Sequence, residues 1–505
     1  MARSFFFYDL ETFGLDPRYD RIAQFAGLRT DENFEPVGDR VILYCRPTPD
    51  YLPNPRSCLV HGITPQAALE SGLPEYELAR RIEGEFSVAG TTCLGYNTIQ
   101  FDDEFVRNLF YRCFFDPYAR EWQRGNSRWD LLDLMRAAHD LRPEGLVWPA
   151  GEDGTPIVKL EVLARANGVD EGAAHDAMHD VLATIGLARL VRLRQPKLFD
   201  WYYGHRTRDS LRPLVDLVSR EPLVHTAAAY TSPRGCTTLV APIALDPENR
   251  NQLIALDLRF DPAEVVDLPV EELRRRVFTK ADELDKPRLP LSRIRLNRCP
   301  FLAPRNTLSD AAAQRLGIDL GACAAHLERI RREPELIQKL VAVFEGPLSS
   351  NDADDPDLKL YSEGFFPDED TALFAKIHET LAAVPPAEAR PKLYRLRFRD
   401  DRPAQMLRRF FARNYPETLS AEEARRWKSF CATRLQLPTS TEGTDLGSYA
   451  KIVAQGLENP ATPARDRGIL LALLSYKSTL EGEILGYPDG GARKAAAGDA
   501  PKAGQ

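Results

Sequence analysis

The stretch Phe5-Phe6-Phe7-Tyr8-Asp9-Leu10-Glu11-Thr12 sets two carboxylates inside an apolar, aromatic run. Such residues favour an extended chain, and the run predicts a buried strand. Side chains on a strand alternate faces, so Asp9 and Glu11 point the same way. Two adjacent carboxylates in apolar surroundings repel each other and lose their hydration. A divalent cation with a preference for oxygen ligands offsets both costs. The plainer alternative is a strand end whose acids reach solvent, since a chain with 74 acidic residues produces such triplets readily.

Two later pieces add to this one. Asp102 follows Tyr96-Asn97-Thr98-Ile99-Gln100-Phe101 at the start of a predicted helix, where free backbone N–H groups favour an anion. An ordinary first-turn acid would read the same way. The segment His175-Asp176-Ala177-Met178-His179-Asp180 opens another predicted helix. Five helical steps separate His175 from Asp180 by about 140°, so they do not stack on one face. The spacing works if His175 sits at the helix entrance and Asp180 lies one turn inside. His179 competes for the role, but it adjoins Asp180 and points elsewhere.

The 505 residues suggest about three domains. A hydrophobic content of 43% is enough for packed cores. The net charge of −8 counts mildly against a nucleic-acid binder, although a local basic groove matters more than the total. The eight cysteines form no C-x-x-C pair, which predicts reduced, buried thiols in the cytoplasm rather than disulfides or a zinc site. No apolar run approaches the length of a membrane span, and the N-terminal run does not read as a signal peptide.

Further strands are predicted at Arg21–Arg29 and Arg40–Cys45, giving an antiparallel meander, and at Thr92–Tyr96. Helices are predicted near Gln66–Glu70, Glu75–Phe86, Phe101–Phe110, Trp129–Leu141, Lys159–Ala166 and Asp176–Leu193, the last stopping near Pro196. The second region reads as a small barrel-like or α+β module. It has strands at Leu223–Tyr230, Thr237–Ile243 and Leu253–Phe260, and helices at Val270–Phe278 and Cys323–Phe344. Asn351–Asp357 is an acidic, breaker-rich link to a mainly helical third region, and Tyr487–Gln505 reads as disordered.

The order Asp-x-Glu, then Asp at a helix start, then His-x4-Asp resembles the DEDDh 3′–5′ exonucleases, which have a ribonuclease-H-like fold. Longer segments carry the likeness further. Phe115-Asp116-Pro117-Tyr118, Asn126-Ser127-Arg128-Trp129-Asp130-Leu131-Leu132-Asp133, Leu141-Arg142-Pro143-Glu144-Gly145 and Pro247-Glu248-Asn249-Arg250-Asn251 are similar to the bacterial exonuclease I family over about residues 4 to 480. The resemblance implies an α/β ribonuclease-H-like exonuclease domain (1–195), an SH3-like α+β domain (196–350) and a helical C-terminal domain (351–484), with a disordered tail (485–505). Together the three domains would wrap a groove for single-stranded DNA.

By that resemblance the activity is removal of 5′-mononucleotides from the 3′ end of single-stranded DNA, serving DNA repair and recombination. Asp9, Glu11, Asp102 and Asp180 would hold two Mg²⁺ ions, with Mn²⁺ as a substitute, and His175 would take the attacking water's proton. Matching positions suggest DNA contacts at Glu11, Arg107, Tyr118, Trp122, Arg136, Lys159, Arg208, Asn251, Asn297 and Tyr361. Tyr118 and Trp122 serve equally well as core aromatics. The cluster Arg395, Arg397, Arg399, Arg408, Arg409 and Arg413 reads first as solvated helix faces. The family also implies docking of the acidic C-terminal tail of the single-stranded-DNA-binding protein. Arg142 is the first candidate for that contact, and Arg305 and Arg331 follow; pairing with Glu144 is the ordinary alternative for Arg142. The chain is expected to be a monomer with no membrane association. An exoribonuclease of the same superfamily and a non-catalytic DNA-binding scaffold are the alternatives.

Overall fold

The computed structural model describes residues 3–169, 176–346, 354–437 and 445–486. The opening stretch is the central strand of the first sheet. β1 (Ser4–Thr12), β2 (Ile22–Thr30) and β3 (Val41–Tyr44) form the expected antiparallel meander, with Asp9 opposite Ala26 and Glu11 opposite Gln24. β4 (Thr91–Gly95) and β5 (Ser127–Asp130) add in parallel on the other side of β1, giving the order β3-β2-β1-β4-β5.

The helices of this region are α1 (Pro55–His61), α2 (Pro65–Ser71), α3 (Glu75–Phe86), α4 (Asp102–Arg112), α5 (Leu132–Leu141), α6 (Leu160–Ala166), α7 (Ala177–Arg194) and α8 (Pro196–Gly204). Local chemistry sets several of their starts. Thr64 caps α2 through the Ala67 N–H ahead of Pro65, and Asp176 caps α7 through the Met178 N–H. α4 opens on Asp102, Asp103 and Glu104, three acids at the positive end of its dipole.

The alternation of β1 decides what each face meets. Phe5 and Phe7 pack with Trp129, Met178, Val181 and Phe199 on the side covered by α5, α7 and α8. Phe6 and Tyr8 pack with Phe25 and Phe86 on the other side. Asp9 and Glu11 continue the parity of Phe5 and Phe7, so they leave the sheet on the α7 side.

The second region is an antiparallel sheet in the order β10-β6-β7-β8-β9. It contains β6 (Leu223–Thr226), β7 (Thr237–Leu245), β8 (Gln252–Asp257), β9 (Leu291–Arg295) and β10 (Phe301–Pro304). The third region is helical, with Asp368–Ala383, Arg402–Asn414, Ala421–Gln436, Leu446–Glu458 and Ala464–Leu485 as its main elements. The cores are shared between regions. Val224, Leu256 and Phe301 join the cluster of Phe5, while Phe374, Phe410 and Phe411 join that of Phe6. Tyr449 and Leu473 pack with Phe13.

Several expectations are corrected. The helix expected at Trp129–Leu141 starts only at Leu132, because Ser127–Asp130 pairs with β4 as a strand and the Asp130 side chain accepts the Leu132 N–H. The long helix does stop near Pro196, at Arg194, but Pro196 itself begins α8, at a position where proline costs no hydrogen bond. Cys323–Phe344 is two helices, Leu320–Arg332 and Pro334–Ala342, since Pro334 cannot continue the first. The strand at Leu223 stops at Thr226, with a 3₁₀ turn at Ala228–Tyr230. α1, β9 and β10 were not anticipated.

Arg409 and Arg413 are not solvated. Arg413 is buried between Asp50 at 2.9 Å and Asp357 at 2.5 Å, and Arg409 pairs with Asp355 and Asp357. The acidic link therefore ends in buried anchors, whereas Arg395, Arg397, Arg399 and Arg408 are exposed as expected. All eight cysteines are buried and unpaired. Among the described residues no helix is long and apolar enough to cross a membrane. The tail from Tyr487 lies outside the described residues.

Candidate active site

β1 and α7 bring three predicted acids together. One carboxylate oxygen from each of Asp9, Glu11 and Asp180 lies within 4.8 Å of the other two. Asp9 and Glu11 share a face of β1, and Asp180 sits in the first turn of α7, which packs along that face. Asp102, only 4% exposed, arrives from the start of α4, and its Oδ1 accepts the Leu10 N–H at 3.0 Å. It is not part of the three-oxygen group, but its charge is the largest of those acting on Asp9.

The electrostatics are those of a site short of positive charge. Burial, then the charges of Asp102, Asp180 and Glu11, raise the Asp9 carboxyl well above its usual range. Burial, then Asp180 and Asp176, push Glu11 up to about 7. Asp102 is raised by burial and by Asp103 and Asp130. Carboxyls held in this state gain from a hard divalent cation, and their oxygen-only donor set suits one. His175 lies outside the described residues.

A cleft of about 540 Å³ opens beside the acids, lined by Tyr96, Asn97, Leu132, Arg136, Lys159 and Asp180 among others. Arg136 is held by Asp133 at 2.6 Å, and Lys159 is exposed at the rim. A second, aromatic cleft of about 620 Å³ lies between the end of α4 and residues 360–378. Trp122 lines it with 67% of its surface exposed, which removes it from the core, and Tyr118 is half-buried there. Tyr361 stands nearby with its hydroxyl on Glu104.

Arg107 is buried and already paired with Glu104 at 2.9 Å and Glu121 at 2.6 Å, with its guanidinium over the Tyr118 ring. The sequence could not show that its charge is matched inside the fold. Arg208 donates to Asn251 Oδ1 at 2.9 Å, so two residues far apart in sequence form one exposed polar patch. Asn297 is exposed, and its backbone carbonyl takes a hydrogen bond from Arg128. Arg142 has no ion pair with Glu144; its guanidinium donates to the carbonyls of Leu141 and Thr307. Arg305 folds onto the Leu308 carbonyl of the same turn, and Arg331 is paired with Glu221 and Glu328.

Sequence reading missed the residues that hold these groups in place. Asp103 accepts from Tyr8, Arg120 and Arg128, tying β1 to α4, and Asp130 caps the loop before Asp102. Their only signal was a buried-looking acid among apolar neighbours.

Comparison with known proteins agrees with this arrangement. Three family models match in succession: "Exonuclease" over residues 6–188, "Exonuclease I SH3-like domain" over 206–346 and "Exonuclease I C-terminal domain" over 354–480. Exodeoxyribonuclease I of Escherichia coli is 45% identical over 425 residues, covering 84% of this chain and 88% of that protein. The chain belongs to the exodeoxyribonuclease I family. The Haemophilus influenzae member is 41% identical over 436 residues, covering 86% of this chain and 91% of its own. The crystal structure of E. coli exonuclease I with a dA16 oligonucleotide superposes with a TM-score of 0.88 at 41% identity, covering 95% of this chain and 100% of that one. Related solved structures include a zinc-bound complex of the E. coli enzyme with single-stranded DNA and an SSB/Exonuclease I structure with an inhibitor. The first sheet with its acids is thus the exonuclease domain, the second region the SH3-like domain and the third the C-terminal domain of this family.

Proposed function

We propose that this chain is a 3′–5′ exodeoxyribonuclease that shortens single-stranded DNA and releases 5′-mononucleotides. The observation that carries the reading is the three-carboxylate group of Asp9, Glu11 and Asp180 beside an open cleft, on a chain matched along its length by exodeoxyribonuclease I. Water attacks the terminal phosphodiester, the P–O3′ bond breaks, and the shortened strand leaves with a new 3′-hydroxyl.

Asp9, Glu11, Asp102 and Asp180 would hold two Mg²⁺ ions, which supply activation of the water and neutralisation of charge on the leaving oxygen. The chain's own residues do the rest. His175, before the α7 cap, takes the proton of the attacking water near neutral pH. Lys159 and Arg136, on the cleft wall, face the phosphates. Tyr118, Trp122 and Tyr361 offer ring faces on which bases stack regardless of sequence. Arg208 and Asn251 extend the polar track onto the SH3-like domain. A local cationic track of this kind reconciles a chain of charge −8 with a polyanionic substrate.

The reading extends to a partner, the acidic C-terminal tail of the single-stranded-DNA-binding protein. Arg142 lies free of any carboxylate among the described residues, next to the turn that carries Arg305, and the SSB/Exonuclease I structure supports such a contact for this family. Eight buried, unpaired cysteines support a place in the cytoplasm.

The test is digestion of single- and double-stranded oligonucleotides labelled at either end, with Mg²⁺ or EDTA, beside an RNA twin. A 3′ label should appear at once as mononucleotide, while a 5′ label stays on a shortening ladder. Release of the 5′ label first, or digestion that persists in EDTA, overturns the reading. Equal digestion of RNA moves the substrate to an exoribonuclease's.

A further inference from the structure

Asp130 ends β5 with its carboxylate turned onto the loop that delivers Asp102. Its Oδ1 accepts the backbone N–H of Asn97 at 2.9 Å and of Leu132 at 2.9 Å, and its Oδ2 accepts that of Ile99 at 3.0 Å. The residue is 6% exposed, so these bonds are shielded from water. Asn97 has a φ of 69°, in the left-handed region, which asparagine enters more readily than most residues and glycine enters freely. The loop continues as tight turns: Gln100 N–H to the Asn97 carbonyl, and Phe101 and Asp103 N–H to that of Thr98. Asp102 emerges from these turns with Oδ1 on the Leu10 N–H, between Asp9 and Glu11 in sequence. The loop also starts hard against β1. A Cβ on Gly95 would meet the Tyr8 carbonyl oxygen at 2.5 Å, so the backbone has no slack there.

We propose that Asp130 is a positioning residue for the metal-binding carboxylates: its bonds to the Asn97 and Ile99 N–H groups tie the loop from Asn97 to Phe101 to the start of α5, where it also holds the Leu132 N–H, so that Asp102 keeps its place on the Leu10 N–H and Asn97 lines the cleft. This rests on the exonuclease reading of the site. A carboxylate is required because both of its oxygens must accept. Asparagine has the same shape, but keeps one acceptor and turns an N–H₂ group against a backbone N–H. The loop is then released at Ile99 or at Asn97, and Asp102 loses its register against Leu10. Asp130 touches no reacting atom in this scheme and acts through the loop alone.

The experiment compares wild type with Asp130→Asn, Asp130→Ala and the double variant Asp130→Asn/Asn97→Gly. Three quantities are read: the Mg²⁺ concentration for half-maximal turnover, the rise in Tm on adding Mg²⁺, and the affinity for a single-stranded oligonucleotide in EDTA. Outer groups that orient metal ligands are worth about 10–100-fold in metal affinity. Asp130→Asn should therefore raise the Mg²⁺ midpoint by about tenfold or more and shrink the Mg²⁺-induced rise in Tm, with DNA affinity in EDTA within about twofold of wild type. Asp130→Ala should lose at least as much. Glycine at position 97 adopts the left-handed turn at no steric cost, so the double variant should recover part of the Mg²⁺ response.

A lower Tm with an unchanged Mg²⁺ midpoint makes Asp130 a purely structural residue and overturns the proposal. So does a double variant that regains Tm but not Mg²⁺ affinity, or the failure of all three variants to fold. Wild-type protein without Mg²⁺-dependent DNA hydrolysis would instead overturn the exonuclease reading itself.

Discussion

The hydroxyl of Tyr361 donates to Glu104 Oε2 at 2.5 Å, across 257 positions of sequence. The other oxygen of that carboxylate takes Arg107 at 2.9 Å and Arg298 at 2.5 Å. One carboxylate, two residues beyond Asp102, therefore gathers groups from all three domains. Tyr361 is 55% exposed, so its ring face remains open while its hydroxyl is anchored. Tyr361→Phe should weaken single-stranded DNA by about 1 kcal/mol through the lost anchor. Tyr361→Ala should lose a further ~1–3 kcal/mol through the lost stacking surface. Fluorescence anisotropy in EDTA measures both, and equal affinity of the two variants would remove the stacking role.

Asp9→Asn should abolish nucleotide release and yet stabilise the metal-free protein. Asp9 is half-buried beside three other carboxylates, and removing its charge relieves that repulsion. A rise of about 2–4 °C in Tm, roughly 1 kcal/mol, is expected in EDTA, with the Mg²⁺-induced rise diminished. A lower Tm in EDTA would mean that Asp9 is held by favourable contacts rather than by a cation.

The same repulsion sets a pH dependence. Glu11 is moved from an ordinary value of 4.5 to about 7, and Asp9 is also raised. A carboxyl raised by folding contributes stability below its unfolded value and loses it as pH climbs to the folded one. Metal-free protein should therefore lose stability between about pH 4.5 and 7, and saturating Mg²⁺ should flatten that slope. Thermal melts across this range with and without Mg²⁺ check it; parallel curves would contradict the assignment.

The opposite sign holds where the C-terminal domain docks. Burial alone would raise Asp357, but Arg413 and Arg409 hold it down to about 2. Asp50 and Glu75 are buried too, and are held below their usual range by Arg413 and Arg21, and by Arg112 and Arg21, respectively. Carboxyls lowered by folding give stability above their unfolded values and lose it as pH falls through the folded ones. Acid should thus undo this junction between about pH 4 and 2. Asp50→Asn, which leaves Arg413 short of one buried partner, should cost about 3–5 kcal/mol in denaturant melts at pH 7. A cost near zero would show that Asp357 alone satisfies Arg413.

His175→Ala should lower kcat by about 10²–10⁴, the usual worth of a general base, with little change in DNA affinity. An equal loss from His179→Ala would assign the base to the wrong histidine. Separately, Arg142→Ala should weaken a micromolar, salt-sensitive complex with an acidic tail peptide while sparing nuclease activity. Binding that ignores this substitution would move the peptide site elsewhere.

What the sequence determined by itself was local or periodic. The two-residue period of β1 put Asp9 and Glu11 on one face, and the apolar spacing of Glu75–Phe86 marked α3 to the residue. Motif order then carried the family, which the matches along the chain show. What tertiary structure decided was every property that depends on a distant partner. Asp130 looked helical within Trp129–Leu141, yet strand pairing with β4 claims it, and its carboxylate serves a loop some thirty positions earlier. Arg409 and Arg413 looked like a solvated face, yet Arg413 meets Asp50 across 363 positions in a buried interface. Arg107 was matched by position to a DNA contact, and only the fold shows that Glu104 and Glu121 pair with it. Helix and strand propensities act over a few neighbouring residues, whereas burial and ion pairing are set by which surfaces the folded chain brings together.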